Sequence, residues 1–283
     1  DDKGFYDYNG YIIKSEYPMD EQSLDKAGEK LRKIYELYLK DQDVKTYFAI
    51  VPDKNAWAFE AEGQNVIDYS ELYARMQAET EKFASYIEFD DLLDMESYYK
   101  TDAHWRQEKI YPVAQRIAEA MGCELTAEYD KVVANDSFIG AYGRQSDLAM
   151  EPEELIYLTN EALAGCIVTD YASEDERYVT TGVYTIASAA SEDGEGYDMF
   201  LDGAKSLLTI ENPASTTDKE LIIFRDSFGS SIAPFFTEVY RKVTLVDTRY
   251  LPSERVGKFV EFDRQDILFL YSVPVLNNSV MLK

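Results

Sequence analysis

One histidine occurs in the 283 residues, His104, and it stands two positions after a carboxylate, Asp102. A carboxylate at that spacing in a loop can reach the imidazole Nδ1–H, fix the tautomer and stabilise the imidazolium. Alone the pairing is a weak signal, because 54 of the 283 residues are Asp or Glu. The second candidate is the run Phe224-Arg225-Asp226-Ser227-Phe228-Gly229-Ser230-Ser231. An apolar strand ends there, Ser227 follows at a turn, and a helix begins. Open α/β sheets present reactive groups at the carboxyl ends of their strands. The N–H groups of a helix start can stabilise an oxyanion beside such a serine. Read by itself, the segment suits a helix N-cap better, since Asp and Ser are common caps. A serine hydroxyl is a poor nucleophile without a base. The serine elbow and the single histidine with its own carboxylate are therefore more specific together than apart.

The elements that must position these groups follow from hydrophobic periodicity. From Glu21 to Lys40, apolar residues at Leu24, Ala27, Leu31, Ile34, Leu37 and Tyr38 recur at helical spacing. Val44 to Val51 is β-branched and aromatic and closes on Pro52-Asp53-Lys54, which predicts a buried strand and a loop. A helix over Tyr69 to Phe83, a short strand over Tyr86 to Phe89 and an amphipathic helix over Trp105 to Met121, stopped by Gly122, are expected next. Asp90 to Tyr99 reads as a loop or broken helix, and Gly4 to Pro18 as an extended edge or loop. This order predicts crossover units on a mainly parallel sheet. The middle of the chain differs. Glu154 to Leu158, Cys166 to Tyr171 and Tyr178 to Ile186 read as short strands, and Ala187 to Gly196 as a small, acidic, mobile stretch. Residues 150–200 are accordingly expected to form a β-rich insertion or flap within a single domain spanning 1–283. The α/β pattern resumes with a strand at Leu221 to Phe224, a helix over Ile232 to Tyr240, and strands at Lys242 to Val246 and Asp266 to Tyr271.

Bulk properties narrow the partners. The formal net charge is -26. A surface this acidic repels phosphate backbones and anionic lipid, so nucleic acid is not an expected partner. No apolar run approaches the roughly 20 residues of a membrane span. The chain opens at Asp1-Asp2-Lys3 with no signal segment in view, which leaves location open. Cys123 and Cys166 are too few for a disulfide framework or a thiolate metal site. They are read as two small hydrophobes, with one bridge as the alternative. One histidine and no cysteine pair offer few metal ligands.

Tyr98-Tyr99-Lys100-Thr101-Asp102-Ala103-His104-Trp105 resembles the Asp-x-His-Trp signature of the alginate O-acetyltransferase group and of the DHHW proteins, both SGNH-hydrolase-like. Phe224 to Phe228 is similar to their Asp-Ser-Phe nucleophile block. More diffuse likeness lies in Asn9-Gly10-Tyr11-Ile12-Ile13, Val51-Pro52-Asp53-Lys54, Phe138-Ile139-Gly140 and Leu268-Phe269-Leu270-Tyr271. In this group Asp and His precede Ser, the order found here and the reverse of ordinary SGNH esterases. The departures are Ala103, where the DHHW signature has its first His, and Arg225, where ordinary SGNH enzymes have Gly.

The resemblance implies a three-layer α/β domain with Ser227 as nucleophile, His104 as general base and Asp102 as its orienter. The Ser227 N–H would be one oxyanion donor. Gly140 is a candidate for a second, because a glycine lets the chain approach a ligand closely, with an ordinary turn as the alternative. Tyr142 and Arg144 could line the same cleft. Arg225 and Asn277 are secondary candidates for which solvated surface positions are expected. No cofactor is implied. The implied activity is O-acyl, chiefly acetyl, transfer from an acyl donor to a cell-envelope or extracellular glycan. A membrane acyl-transfer protein could supply the donor. The implied location is extracytoplasmic, with any signal segment outside this sequence. Carbohydrate esterase activity with the same residues, and glycan or partner binding without catalysis, are the competing functions.

Overall fold

The computed structural model describes residues 1–59, 61, 63–191 and 195–283. In chain order, a hairpin of β1 (Phe5–Tyr8) and β2 (Tyr11–Lys14) precedes α1 (Glu21–Ile34). Then come β3 (Lys45–Val51), α2 (Tyr69–Thr80), β4 (Ser85–Ile87) and α3 (Tyr111–Ala120). The middle holds β5 (Asp130–Phe138), α4 (Ala141–Gln145), β6 (Glu153–Thr159), α5 (Glu161–Ala164), β7 (Ile167–Asp170) and β8 (Tyr178–Thr181). The chain closes with β9 (Leu207–Glu211), β10 (Glu220–Arg225), α6 (Gly229–Ile232), β11 (Lys242–Val246), β12 (Asp266–Ser272) and α7 (Val273–Asn277).

The central sheet has the order β4-β3-β12-β10-β11-β9-β7-β8. Its first five strands are mutually parallel, and β9, β7 and β8 add by antiparallel pairing. Alternation along each strand fills both faces, as a buried parallel sheet requires. On β10, Leu221 and Ile223 face a core with Val113 and Ile117 of α3 and with Phe235 and Phe236. Ile222 and Phe224 face the other core, with Leu24 and Leu31 of α1 and Leu72 and Met76 of α2. Helices on both faces of one sheet make the expected three-layer α/β architecture.

Prolines shift two helix boundaries. The helix expected from Trp105 begins only at Tyr111, with Pro112 in its first turn, where a fixed φ and a missing N–H are tolerated. Trp105 instead bridges Tyr98 in a short antiparallel contact and is fully buried. The helix expected over 232–240 is a single α-turn that passes into a 3-10 helix at Ala233–Glu238. Pro234 cannot donate to a carbonyl four residues back, so the regular α ladder stops there. Helix α1 likewise ends at Ile34 and continues as a π-helical turn, Tyr35–Leu39. The three middle strands occur, although the third covers only Tyr178–Thr181 of the expected Tyr178 to Ile186. Strands β7 and β8 lie in the central sheet, whereas β6 pairs with β5 in a separate two-stranded sheet. Of the stretch expected to be mobile, 192–194 lie outside the described residues. Ile186–Ala190 and Gly196–Met199 are 3-10 turns with Ala189 and Tyr197 buried. Both cysteines are free thiols; Cys166 is buried and Cys123 partly so.

Candidate active site

Ser227 stands at the turn leaving β10. Its neighbour Asp226 fixes that turn: Oδ1 accepts the Phe228 N–H at 3.0 Å, and Oδ2 accepts the Ser272 N–H at 2.7 Å from the end of the adjacent parallel strand β12. Gly229 is required here, since a Cβ on it would lie 2.9 Å from the Arg225 Cβ. The Ser227 hydroxyl does not cap α6, whose N-cap position is Phe228, without a side-chain bond. Its Oγ lies instead 2.7 Å from His104 Nε2.

His104 comes from the loop between β4 and α3. Its Nδ1 is 2.6 Å from Asp102 Oδ1, which also accepts the His104 main-chain N–H at 3.0 Å. Asp102 Oδ2 accepts the Ala141 N–H at 2.9 Å. Burial by itself would raise the Asp102 carboxyl. The charge of His104 and the hydrogen bonds from His104 and Ala141 outweigh it and hold the group well below the usual carboxylate range. The three side chains singled out from the sequence thus form one continuous hydrogen-bonded chain. Among the described residues the Ser227 N–H has no hydrogen-bond partner, so it is free to donate to a ligand.

The cleft over Ser227 is small, about 160 Å³, and its lining includes His104, Tyr197, Asp198, Arg225, Arg249 and Tyr250. Tyr197 stacks on the imidazole at 3.7 Å with the rings 2° from parallel. Its hydroxyl donates to the Ser227 carbonyl at 2.9 Å and meets Ser231 Oγ at 2.9 Å. Trp105 Nε1–H donates to the Phe228 carbonyl at 3.0 Å and to Ser231 Oγ at 3.1 Å. The residue after His104 therefore ties the His104 loop to the turn that carries Ser227.

Gly140 is not a second oxyanion donor. Its N–H donates to Thr101 Oγ1 at 2.9 Å, and a Cβ there would lie 2.3 Å from the Asp102 Cβ. The glycine lets the chain pass against the Asp102 carboxylate rather than against a ligand. Tyr142 and Arg144 do not line the cleft. The Tyr142 ring packs edge-on against Phe5 and under Lys54, and exposed Arg144 donates to the Ile139 carbonyl. Asn277 ties the carbonyls of Glu16 and Pro18 to α7. Arg225 is a correction in the other direction. It is 1% exposed, not solvated, and lines the cleft. Its Nη1 donates to Ser230 Oγ at 2.8 Å, while Nε and Nη2 have no partner among the described residues. Burial pushes its pKa down from the ordinary arginine value.

No family model matches the chain, and no curated protein matches it by sequence. Solved structures do. A DHHW family protein from Eubacterium siraeum superposes with a TM-score of 0.76 at 16% identity, over 96% of this chain and 91% of that one. PatB1 of Bacillus cereus, in a structure with a sulfonyl adduct, gives 0.77 at 18% identity over 96% and 95%. The O-acetyltransferase domain of Pseudomonas putida AlgJ gives 0.57 at 12% identity over 97% and 92%. The chain shares the α/β fold of these structures. At these identities the likeness establishes architecture, and the site must be argued from its own residues.

Among the cleft residues that the sequence reading did not name, Tyr197 and Arg249 have the most to do with the site. Tyr197 is one of 23 tyrosines and sits in no motif. Arg249 follows β11 and is held by Asp247 through paired bonds of 3.0 and 2.7 Å. The one available signal was topological: β11 lies beside β10, so the loop after it opens on the same sheet edge.

Proposed function

We propose that this chain is a serine-dependent O-acyltransferase, chiefly an acetyltransferase, acting on hydroxyls of an extracytoplasmic glycan. The observation that carries the reading is the unbroken chain Asp102–His104–Ser227, at 2.6 and 2.7 Å. The O-acetyltransferase named in the Pseudomonas neighbour and the sulfonyl adduct named in the Bacillus neighbour support it as analogies of fold. Among the described residues no helix is long and apolar enough to cross a membrane. We take the acyl donor to be delivered by a partner, such as a membrane acyl-transfer protein.

Ser227 Oγ attacks the acyl carbonyl as His104 Nε2 takes its proton. Negative charge developing on the carbonyl oxygen is met by the Ser227 N–H. Asp102 stays ionised and stabilises the imidazolium without accepting its proton. The intermediate collapses, His104 returns the proton to the departing oxygen, and an acyl-serine remains. A sugar hydroxyl then gives its proton to His104 and attacks the acyl carbonyl, and His104 returns the proton to the departing Ser227 Oγ, leaving the acyl group on the sugar.

The test is turnover of an activated acetyl ester with and without oligosaccharide acceptors, followed by mass spectrometry of the products. Ser227→Ala and His104→Ala are expected to lose ~10³-fold or more in kcat, and Asp102→Asn ~10²–10⁴-fold. Acetylated oligosaccharide marks the transferase. Acetate as the sole product, whatever the acceptor, would make the chain an esterase using the same residues. A Ser227→Ala variant with wild-type turnover would remove the nucleophile.

A further inference from the structure

The loop that carries Asp102 is gripped from beneath by a buried cation. Lys54 is 2% exposed and stands just past β3, in the Val51-Pro52-Asp53-Lys54 turn. Its Nζ donates to the carbonyls of Ile12 at 2.5 Å, Tyr99 at 2.9 Å and Asp102 at 2.8 Å. The Lys100 carbonyl lies farther, at 3.4 Å. The opposite side of the loop is held by Glu153, which accepts the N–H groups of Lys100 and Thr101 at 2.9 and 2.8 Å. One ammonium thus takes the carbonyls of the triad loop while one carboxylate takes its N–H groups.

The donor arithmetic is strict. An ammonium has three N–H groups and no lone pair; a neutral amine has two N–H groups and a lone pair. Three close carbonyls can all be satisfied only by the charged form. After loss of the proton, one of them would face a lone pair in a place where water cannot substitute. We propose, building on the triad reading, that Lys54 is a positioning residue: as an ammonium it holds the Asp102 main chain so that the Asp102 carboxylate stays in register with His104. The charged groups that face it are Asp102, Glu153 and Asp53, with the Tyr142 ring 5.2 Å from Nζ. Burial is the dominant influence and, against the pull of those three carboxylates, brings the Lys54 pKa down to about 7. The clamp therefore loosens as pH rises through that value.

The experiment is the pH profile of kcat and KM for an activated acetyl ester, with wild type, Lys54→Met and Lys54→Arg. Wild type is expected to lose kcat as pH rises past the Lys54 value. Lys54→Met, which keeps the stem but has no donors, is expected to lose ~10–100-fold in kcat with KM within ~3-fold, and to lose the alkaline limb. Lys54→Arg, charged throughout, is expected to be reduced in kcat and equally free of that limb. An unchanged alkaline limb in Lys54→Met, or its turnover at the wild-type rate, overturns the proposal. Should Lys54→Met fail to fold, wild-type NMR decides. The single histidine gives one Nδ1–H resonance, which should weaken in step with titration of the Lys54 Nζ in lysine-labelled protein. Titration of Lys54 without change at His104 overturns the proposal, as does a Lys54 that stays charged throughout. This coupling requires no turnover, so a protein that proves inactive refutes the triad reading without touching this result.

Discussion

Asp102 uses both of its oxygens for orientation: one serves the His104 ring and main chain, the other the Ala141 N–H. That economy depends on Gly140, which lets the segment entering α4 close over the carboxylate. Its φ of -78° is open to any residue, so the constraint is steric and not conformational. Gly140→Ala would put a methyl 2.5 Å from Asp102 Oδ2. We expect it to lower kcat by ~10²-fold while costing ~1–3 kcal/mol of stability, read from ester kinetics and urea unfolding on the same preparation. Wild-type kcat in that variant would show the carboxylate to be less tightly placed than its bonds imply. At this scale much of the site was legible. Ser227, His104 and Asp102 were singled out by a lone imidazole with its own carboxylate, a strand-to-helix serine and the resemblance of both segments to family signatures, and they lie in hydrogen-bond contact. Tyr197 and Arg225 did not. The stacking of Tyr197 depends on a fold-back of nearly a hundred residues. The burial of Arg225 runs against the general habit of arginine and depends on a glycine four positions later.

Elements were legible where one physical signal dominated. Strands β3, β10, β11 and β12 are apolar runs, and all were placed within a residue or two. Strand β5 was missed because its exposed residues and two register shifts, at Val133/Asn135 and Asn135/Phe138, break the two-residue alternation. The hairpin β1–β2 was read only as extended chain, yet it supplies the Ile12 carbonyl to Lys54. It also leads into an acidic pair of buried Asp53 and partly buried Glu16. Asp53 is buried and accepts from Asn55 and from the Tyr69 hydroxyl. Near it, burial and then repulsion from Asp53 raise the Glu16 pKa from 4.5 to about 8. Because the folded protein binds this proton more tightly than the unfolded chain, the stability it contributes is full below the unfolded value. That contribution is lost as pH rises through the window from 4.5 to about 8. Glu16→Gln should therefore be near neutral at acid pH and more stable than wild type by on the order of 1–2 kcal/mol above pH ~8. Urea unfolding at one pH on each side of the window checks this, and a variant destabilised equally at both would contradict it.

Taken whole, the molecule gathers distant residues at one sheet edge. The carboxyl ends of β3, β10 and β12 deliver Lys54, Ser227 and Ser272, and the loop before α3 brings Asp102 and His104 to the same place. Parallel strands explain the convergence, since every strand of one direction ends on the same side. This much followed from the alternation of strands and helices along the chain. The strand β9 and the roof that residues 195–204 place over the cleft did not; β7 and β8 were read as strands, but of an insertion rather than of the central sheet they extend. The net charge of -26 lies on a surface that encloses a buried Arg225, so bulk composition describes the exterior and not the site. The central claim is that one hydroxyl, among all those in the chain, is made nucleophilic by the only imidazole. Labelling with a serine-directed fluorophosphonate and mapping the modified peptide tests it most directly. A single adduct on Ser227, absent in Ser227→Ala and slowed at least ~10²-fold in His104→Ala, is the predicted result. No adduct, or an adduct elsewhere that persists in Ser227→Ala, would contradict it.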